Sequence, residues 1–503
     1  MANDILIIGT GFSGLGMGIR LKQAGIHDFV ILEQASGVGG TWRDNHYPGA
    51  ACDVESHLYS FSFEPNPDWS RTFAGQKEIL AYLEHCADKY GLRPHIRFDT
   101  AATGASFDER TGLWTVETSR GERLTARVLV SAIGGFSRPS YPDIPGLASF
   151  AGKVVHSARW DDSYPLEGKR VGVIGTGASA IQIVPSIAPK VSQLHVFQRT
   201  PPWIVPKLDR PIREEEQERF RRAPLLQRFA RARQYALREL FAIGFIESPA
   251  VLRFASRFAI RYMKATVRDP ALQAKLVPGY TMGCKRVLPS NDYYPALTRE
   301  NVELVTEAIQ EIRPGGVVTA GGRERALDAL VLATGFTVAE FVLPFPMKGR
   351  GGRDINEAWR EGAEAYLGTT VSGFPNFFVI FGPNTGLGHN SMIYMIESQL
   401  NYAMDAIKAM RARGLKLVDV RPDAQARYNE RIHARLAKTV WNTGCTSWYR
   451  TKSGKNTTLW PGFTFEFRLR TRRFDPGDYD LVADDGAPAP RARPPSSAET
   501  TSA

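Results

Sequence analysis

Two strand-like apolar runs, each opening into a glycine loop and each followed at the same interval by another apolar run, predict an α/β fold built on two Rossmann-like units. The first run, Ile5-Leu6-Ile7-Ile8, leads into Gly9-Thr10-Gly11-Phe12-Ser13-Gly14. The second, Val171-Gly172-Val173-Ile174, leads into Gly175-Thr176-Gly177-Ala178-Ser179-Ala180. The follow-on runs are Phe29-Val30-Ile31-Leu32, ending at Glu33, and Leu194-His195-Val196-Phe197, ending in Gln198-Arg199-Thr200.

Each loop has the grammar of a dinucleotide site. The first glycine (Gly9, Gly175) permits the tight turn, and the second (Gly11, Gly177) lets backbone N–H groups reach a pyrophosphate. The third small residue (Gly14, Ala180) lets the helix pack close to the strand. Glu33 lies nineteen residues after Gly14, where a carboxylate accepts from ribose hydroxyls. That favours FAD or NAD, and the N-terminal position favours FAD. The second unit has no acid at the matching place. Arg199, nineteen residues after Ala180, offers a guanidinium that pairs bidentately with a 2′-phosphate, so NADPH is preferred over NADH. The plainer alternative for Arg199 is a solvated cation at a strand end.

The chain's 503 residues give roughly three domains as a soft prior. Its apolar content of 43% is ordinary for a globular protein. Cys52, Cys86, Cys284 and Cys445 stand far apart with no CxxC pair, which reads as reduced intracellular thiols with neither a zinc site nor a dithiol redox pair. The first residues read as a strand-like run with no basic n-region ahead of an apolar h-region, so no secretory signal is expected, and no apolar run reaches about 18 residues. The expectation is a cytoplasmic enzyme with no stable membrane insertion.

The formal net charge of +11 is partly local, because 13 Lys/Arg face 7 Asp/Glu between Pro211 and Pro270. Leu225, Leu226, Phe229, Phe254 and Phe258 punctuate this stretch at helical spacing, with arginines interleaved. A nucleic-acid or acidic-membrane patch is one reading. The preferred one is an arginine-rich helical insertion whose field assists anionic NADPH, or a solvated face, with no nucleic-acid partner.

Residues 1–145 read as the first part of an FAD-binding domain, with a loop-rich excursion at 41–75 and a helix near 77–90. Pro139, Pro142 and Pro145 introduce a linker over 146–167. Residues 168–335 read as an NADP-binding domain with a helical insertion at about 207–275. Residues 336–484 return to the FAD-binding domain and carry a C-terminal active-site loop, because Phe377-Phe378-Val379-Ile380-Phe381 is again a buried strand before a long helix, about 391–412. Residues 485–503 read as a disordered tail, too poor in apolar side chains to fold.

Two further strings carry a family likeness. Phe150-x-Gly152-xxx-His156-xxx-Trp160-Asp161 matches FxGxxxHxxxW(D/P). Gly39-Gly40-Thr41-Trp42, running through Tyr47-Pro48-Gly49 to Asp53, matches (A/G)GxWxxxx(F/Y)P(G/M)xxxD. With both glycine loops in order, the chain over roughly 1–480 resembles the class B flavoprotein monooxygenases, and within them the Baeyer–Villiger (type I) monooxygenases. The alternative is the related group of N- or S-oxygenating flavin monooxygenases, which usually place Tyr or Phe where Trp160 stands.

The resemblance implies FAD and NADPH as cofactors, and a ketone and molecular oxygen as substrates. An anionic peroxyflavin would convert the ketone to an ester or lactone. It assigns Arg286 as the catalytic cation and Asp53 as the acid that positions it. Gly40, Thr41, Trp42, Tyr47 and Asp53 would lie at the flavin, and Ala178 and Ser179 at the second nucleotide. Lys285 would join Arg199 and Thr200 on the 2′-phosphate, and Trp448 would pack on the nicotinamide cofactor. His156, with Trp160, reads either as a hinge contact between the nucleotide domains or as a structural histidine. After Trp448 the chain departs from the cyclohexanone-type members and continues Tyr449-Arg450-Thr451-Lys452, more like the branch acting on aryl or open-chain ketones. Ketone size and oligomeric state stay open.

The chemistry explains the residue types. An oxygen-transferring anion in a dry pocket needs a fixed positive partner, and two unit charges about 4 Å apart attract by roughly 4 kcal/mol at an effective dielectric near 20. A guanidinium buried for that purpose is costly unless a carboxylate neutralises and aims it. There is no GxSxG elbow and no HExxH string, so neither a serine nucleophile nor a metal is expected. An uncoupled NADPH oxidase is a rival within the chemistry. A flavin-dependent DNA-binding regulator is suggested by the basic balance alone.

Overall fold

The computed structural model describes residues 3–339, 343–442, 445 and 447–485. The tail expected over 485–503 therefore lies, from 486 onward, outside the described residues. Six strands of the N-terminal part join one sheet: β1 (Asn3–Ile8), β2 (Phe29–Leu32), β3 (Ile96–Arg97), β4 (Ala102–Asp108), β5 (Leu113–Thr118) and β6 (Arg123–Ser131). Their spatial order is β4-β5-β6-β1-β2-β3, with Met347–Lys348 outside β4. The unbroken apolar run of β1 suits a strand covered on both faces, and Ile5, Leu6 and Ile7 are fully buried. Both neighbours of β1 run parallel to it. β6 serves two partners on its other side: its N-terminal half pairs antiparallel with β5, and its C-terminal end pairs parallel with Phe377–Val379. The late strand thereby enters the sheet that the N-terminus began.

Helix α1 (Phe12–Gln23) is pressed tightly on both sides. A Cβ at Gly14 would collide with the carbonyl oxygen of Gly9, and one at Gly16 would lie 2.7 Å from Leu400 Cδ1 on the helix Met392–Ala412. α2 (Thr41–Asp44) and α3 (Gln76–Lys89) bracket the irregular segment that packs beside α1.

The second sheet is wholly parallel. It holds β7 (Lys153–His156), β8 (Arg170–Ile174) and β9 (Gln193–Phe197), with Val302–Val305 beyond β9 and Ala329–Leu332 between β8 and β7. β7 corrects the expectation of a plain linker over 146–167, because the middle of that segment is an edge strand in register with Ala329–Leu332. Four residues are too few to display a period, and the prolines just upstream masked the strand.

Helix α4 (Ala180–Ile187) follows the second glycine loop. The basic stretch forms α5 (Glu214–Arg222), α6 (Pro224–Ile246), α7 (Pro249–Thr266) and α8 (Pro270–Leu276). Proline at N1 starts α6 and α8, and the Asp269 carboxylate caps α8 by accepting from the N–H groups of Ala271 and Leu272.

Gly14→Ala should lower the midpoint of denaturant unfolding by the equivalent of about 1–3 kcal/mol, the usual effect of overpacking. An unchanged midpoint would show that α1 can slide away from the Gly9 turn.

Candidate active site

One cavity of ≈ 1460 Å³ is lined by both glycine loops. A pocket for one small ligand occupies about 300–1,000 Å³, so this volume suits two dinucleotides side by side.

The first loop fits FAD. Gly9 has φ +107°, and a Cβ there would come within 2.6 Å of the Ala132 carbonyl oxygen. Gly11 has open space in front of it, its nearest neighbour being the Cα of Gly40 at 3.9 Å. Gly40 itself adopts φ +51°, which lets Thr41 and Trp42 fold over the loop. The buried Glu33 carboxylate accepts from Thr10 N at 3.1 Å, Thr10 Oγ1 at 2.5 Å and Ala35 N at 3.0 Å, which fixes it at the cavity wall where a ribose would sit.

The second loop fits NADP. Gly175 has φ +114°, a Cβ at Gly177 would meet nothing within 4 Å, and Ala180 is fully buried against its strand. Ala178 and Ser179 line the cavity beside them. Arg199, Thr200 and Lys285 converge at the same wall. Burial, with the Arg199 charge adding to it, pushes the Lys285 ammonium below its usual range. Two cations held close, neither with a carboxylate partner among the described residues, suit a dianionic phosphate. Thr200 also ties the wall to the loop, its carbonyl accepting from Thr176 Oγ1 at 2.9 Å.

Between the two loops, Arg286 clasps Asp53. Nε donates to Oδ2 at 2.9 Å, and Nη2 donates to Oδ1 at 2.8 Å and Oδ2 at 2.7 Å. Burial alone would raise the Asp53 carboxyl, but the neighbouring guanidinium prevails and holds it below the ordinary carboxylate range. The Asp53 carboxylate raises Arg286 in turn, against the opposing effect of burial. Both side chains remain reachable from the cavity, at 31% and 25% exposure.

A strap brings Asp53 to this position. The Tyr47 hydroxyl donates to Gln182 Oε1 at 3.0 Å, and Gln182 Nε2 donates to the Ala51 carbonyl at 2.9 Å, so residues 47–51 lie on α4 of the second unit. Burial raises the Tyr47 phenol, keeping it neutral. A Cβ at Gly49, which has φ +82°, would approach the Gln182 carbonyl oxygen to 2.6 Å. His46 Nε2 lies 3.2 Å from the Trp160 carbonyl oxygen and joins the strap to the fingerprint segment.

His156 is buried and caps the short turn after β7, its Nδ1 accepting from Ala158 N at 3.1 Å and its Nε2 lying 3.4 Å from Thr334 Oγ1, and burial lowers its pKa. Trp448 lines the cavity at 40% exposure, its ring edge-on to Phe136 at 6.1 Å.

Sequence reasoning missed Arg238 of α6, which donates to the Asp53 carbonyl at 3.0 Å and pairs with Glu55 at 2.9 Å. It also missed Gln182. Neither stands in a motif, and helical spacing alone could not aim them.

The expectation of four reduced thiols is corrected. Cys284 and Cys445 form a disulfide across 161 residues of chain, while Cys52 and Cys86 are free and buried. Linear spacing carries no sign of it, since the fold alone brings the Arg286 segment to the C-terminal loop.

Fold and site together define an enzyme that holds two dinucleotides against one catalytic cavity. A family model described as pyridine nucleotide-disulphide oxidoreductase matches residues 6–224. A Baeyer-Villiger monooxygenase of Pseudomonas aeruginosa is 52% identical over 480 residues, covering 95% of this chain and 91% of that protein. An oxidized steroid monooxygenase bound to NADP superposes with a TM-score of 0.86 at 34% identity, covering 96% of this chain and 99% of that one. OTEMO in complex with FAD and NADP gives a TM-score of 0.87 at 30% identity, with the same two coverages. The chain belongs to the Baeyer–Villiger monooxygenases, within the class B flavoprotein monooxygenases, and its cofactors are FAD and NADP(H).

Thiol titration of the denatured, unreduced protein should find the two free cysteines, Cys52 and Cys86, and find Cys284 and Cys445 as well after reduction. Four reactive thiols before reduction would remove the disulfide.

Proposed function

We propose that this chain uses NADPH and oxygen to insert one oxygen atom beside the carbonyl of a ketone, giving an ester or lactone, with Arg286 as the catalytic cation. The observation that carries this reading is the bidentate Arg286–Asp53 pair at the cavity wall between the two nucleotide loops. FAD, when bound, supplies the hydride acceptor and the centre that activates oxygen. Every other role falls to side chains of this chain.

Arg286 holds a fixed positive charge where negative charge develops, and its raised pKa keeps that charge through neutral pH. Asp53 neutralises the guanidinium and fixes its plane with two acceptor oxygens, so no reorganisation is needed during the reaction. Arg238 holds the Asp53 backbone and Glu55, and therefore acts as a positioning residue. Glu33 binds a ribose, the Gly11 and Gly177 turns take the pyrophosphates, and Arg199, Lys285 and Thr200 take the 2′-phosphate. Trp448 closes the nicotinamide end and excludes water. The run after Trp448 favours aryl or open-chain ketones.

A panel of cyclic, aryl and linear ketones, incubated with NADPH and oxygen, should yield a product heavier by one oxygen that hydrolyses to an acid and an alcohol. N- or S-oxides in place of esters would move the enzyme to the neighbouring group. Arg286→Ala should still accept hydride from NADPH yet form no ester, and ester formation at the wild-type rate would remove Arg286 from the mechanism. Arg199→Ala should lower the preference for NADPH over NADH by about 1.5–3 kcal/mol, roughly 13- to 160-fold. An unchanged ratio of kcat/KM values would return Arg199 to the solvated surface.

A further inference from the structure

Helix α6 is amphipathic in the reverse sense. Its inward stripe is polar over most of its length: Gln227 and Arg231 bond the carbonyl oxygens of Asn66 and His57, Tyr235 meets Thr464, Arg238 pairs with Glu55, and Glu239 accepts from Asn390, and only at the C-terminal end do Ala242, Phe245 and Ile246 join the apolar core. Its outward stripe is apolar: Leu226, Phe229, Leu237, Leu240 and Phe241 recur at helical spacing and stand in solvent, Phe229 at 70% and Phe241 at 65% exposure. α7 continues the pattern with Val251, Phe254 and Phe258, Phe254 at 60%. The two helices adjoin where they meet, a Cβ at Gly244 lying 3.3 Å from Val251 Cγ1. Ten of the seventeen large hydrophobic side chains exposed among the described residues lie on these two helices, so this is a patch and not scatter.

The charge around the patch is predominantly positive, with Glu247 the one exposed carboxylate on the two helices and their junction. Arg228, Arg233, Arg253, Arg257, Arg261 and Lys264 are exposed on α6 and α7, and none has a carboxylate partner among the described residues. The acids of this stretch are Glu239, which is buried and bonded, and Glu247. An array of cations around protruding Leu and Phe side chains is the composition of a helix lying in a lipid headgroup layer. A second copy of the chain would bring the same cations face to face across a two-fold axis. Nucleic acid would satisfy the arginines and leave the apolar side chains unburied. No helix among the described residues is long and apolar enough to cross a membrane, so docking of this kind stays at the interface.

We propose that the outer face of α6 and α7 docks reversibly on an anionic phospholipid surface. The solvated face preferred from sequence accounts for the arginines but not for the exposed leucines and phenylalanines between them. The inner face of the same α6 bonds Asp53 and Glu55, so the docking face and the wall of the catalytic cavity are two sides of one helix.

Co-sedimentation of the FAD-loaded full chain tests the proposal, using vesicles of phosphatidylcholine alone and of phosphatidylcholine with an equal part of phosphatidylglycerol. The bound fraction should be about tenfold or more higher on the anionic vesicles and should fall steeply with added salt. Phe229→Ser/Phe241→Ser/Phe254→Ser should abolish binding while NADPH oxidation in vesicle-free buffer stays at the wild-type rate. Arg253→Gln/Arg257→Gln/Arg261→Gln, which touches no apolar contact, should weaken binding to anionic vesicles alone. Absence of binding, or equal binding by the wild type and both variants, would overturn the proposal. So would a wild-type dimer in vesicle-free buffer that the triple Phe→Ser variant splits into monomers, since a second copy would then cover the face.

Discussion

The clasp of Arg286 by Asp53 constrains much of the surrounding architecture, because its two halves reach the cavity from opposite directions in the fold. Asp53 ends a strap that begins in the first nucleotide unit and lies on α4 of the second, held there by Tyr47, Gln182 and the close approach of Gly49. Arg286 comes from the far side of the second unit, after the basic helical insertion. A guanidinium in a partly dehydrated cavity is tolerated only with a carboxylate in bidentate geometry, and that geometry exists only when both units and the strap are in place. Folding and the chemistry proposed for the site are in this way tied to one pair of side chains.

The same economy appears at the nucleotide walls. The two loops share a backbone design, but the side chains at the ends of the second strands are of opposite charge. Glu33 is satisfied by Thr10 and Ala35 within its own unit, whereas Arg199 and Lys285 repel one another and leave positive charge facing the cavity. One cavity therefore has an end suited to ribose hydroxyls and an end suited to a phosphate dianion. The disulfide between Cys284 and Cys445 adds a covalent link just beside Arg286, joining its segment to the loop that carries Trp448.

The helical insertion has two faces with separate work. Its polar inner face completes the site through Arg238 and Glu239, and its apolar, cationic outer face is free to meet another surface. An amphipathic pattern read from sequence gives the two stripes but not which one points inward. The usual assumption buries the leucines, and here, up to the last turns with Ala242, Phe245 and Ile246, burial went to the polar stripe because it could bond the strap, Asn390 and Thr464.

What could be read from sequence is what depends on local backbone geometry or on unbroken strings. The glycine turns were legible because a positive φ and a close strand–helix contact admit almost nothing but glycine at Gly9 and Gly175. Apolar runs marked β1 and the strand at Phe377, and the fingerprint strings pointed to the family. Strand β7 was hidden by its shortness, and Arg238, Gln182 and the disulfide had no signal at all. The amino-acid sequence by itself determined the two nucleotide units, their cofactors and the family, since each rests on neighbours along the chain. Tertiary structure alone decided that Asp53 meets Arg286, that Cys284 meets Cys445 and that α6 faces its polar side inward, because these are encounters between segments far apart in sequence, fixed by packing and not by any local preference.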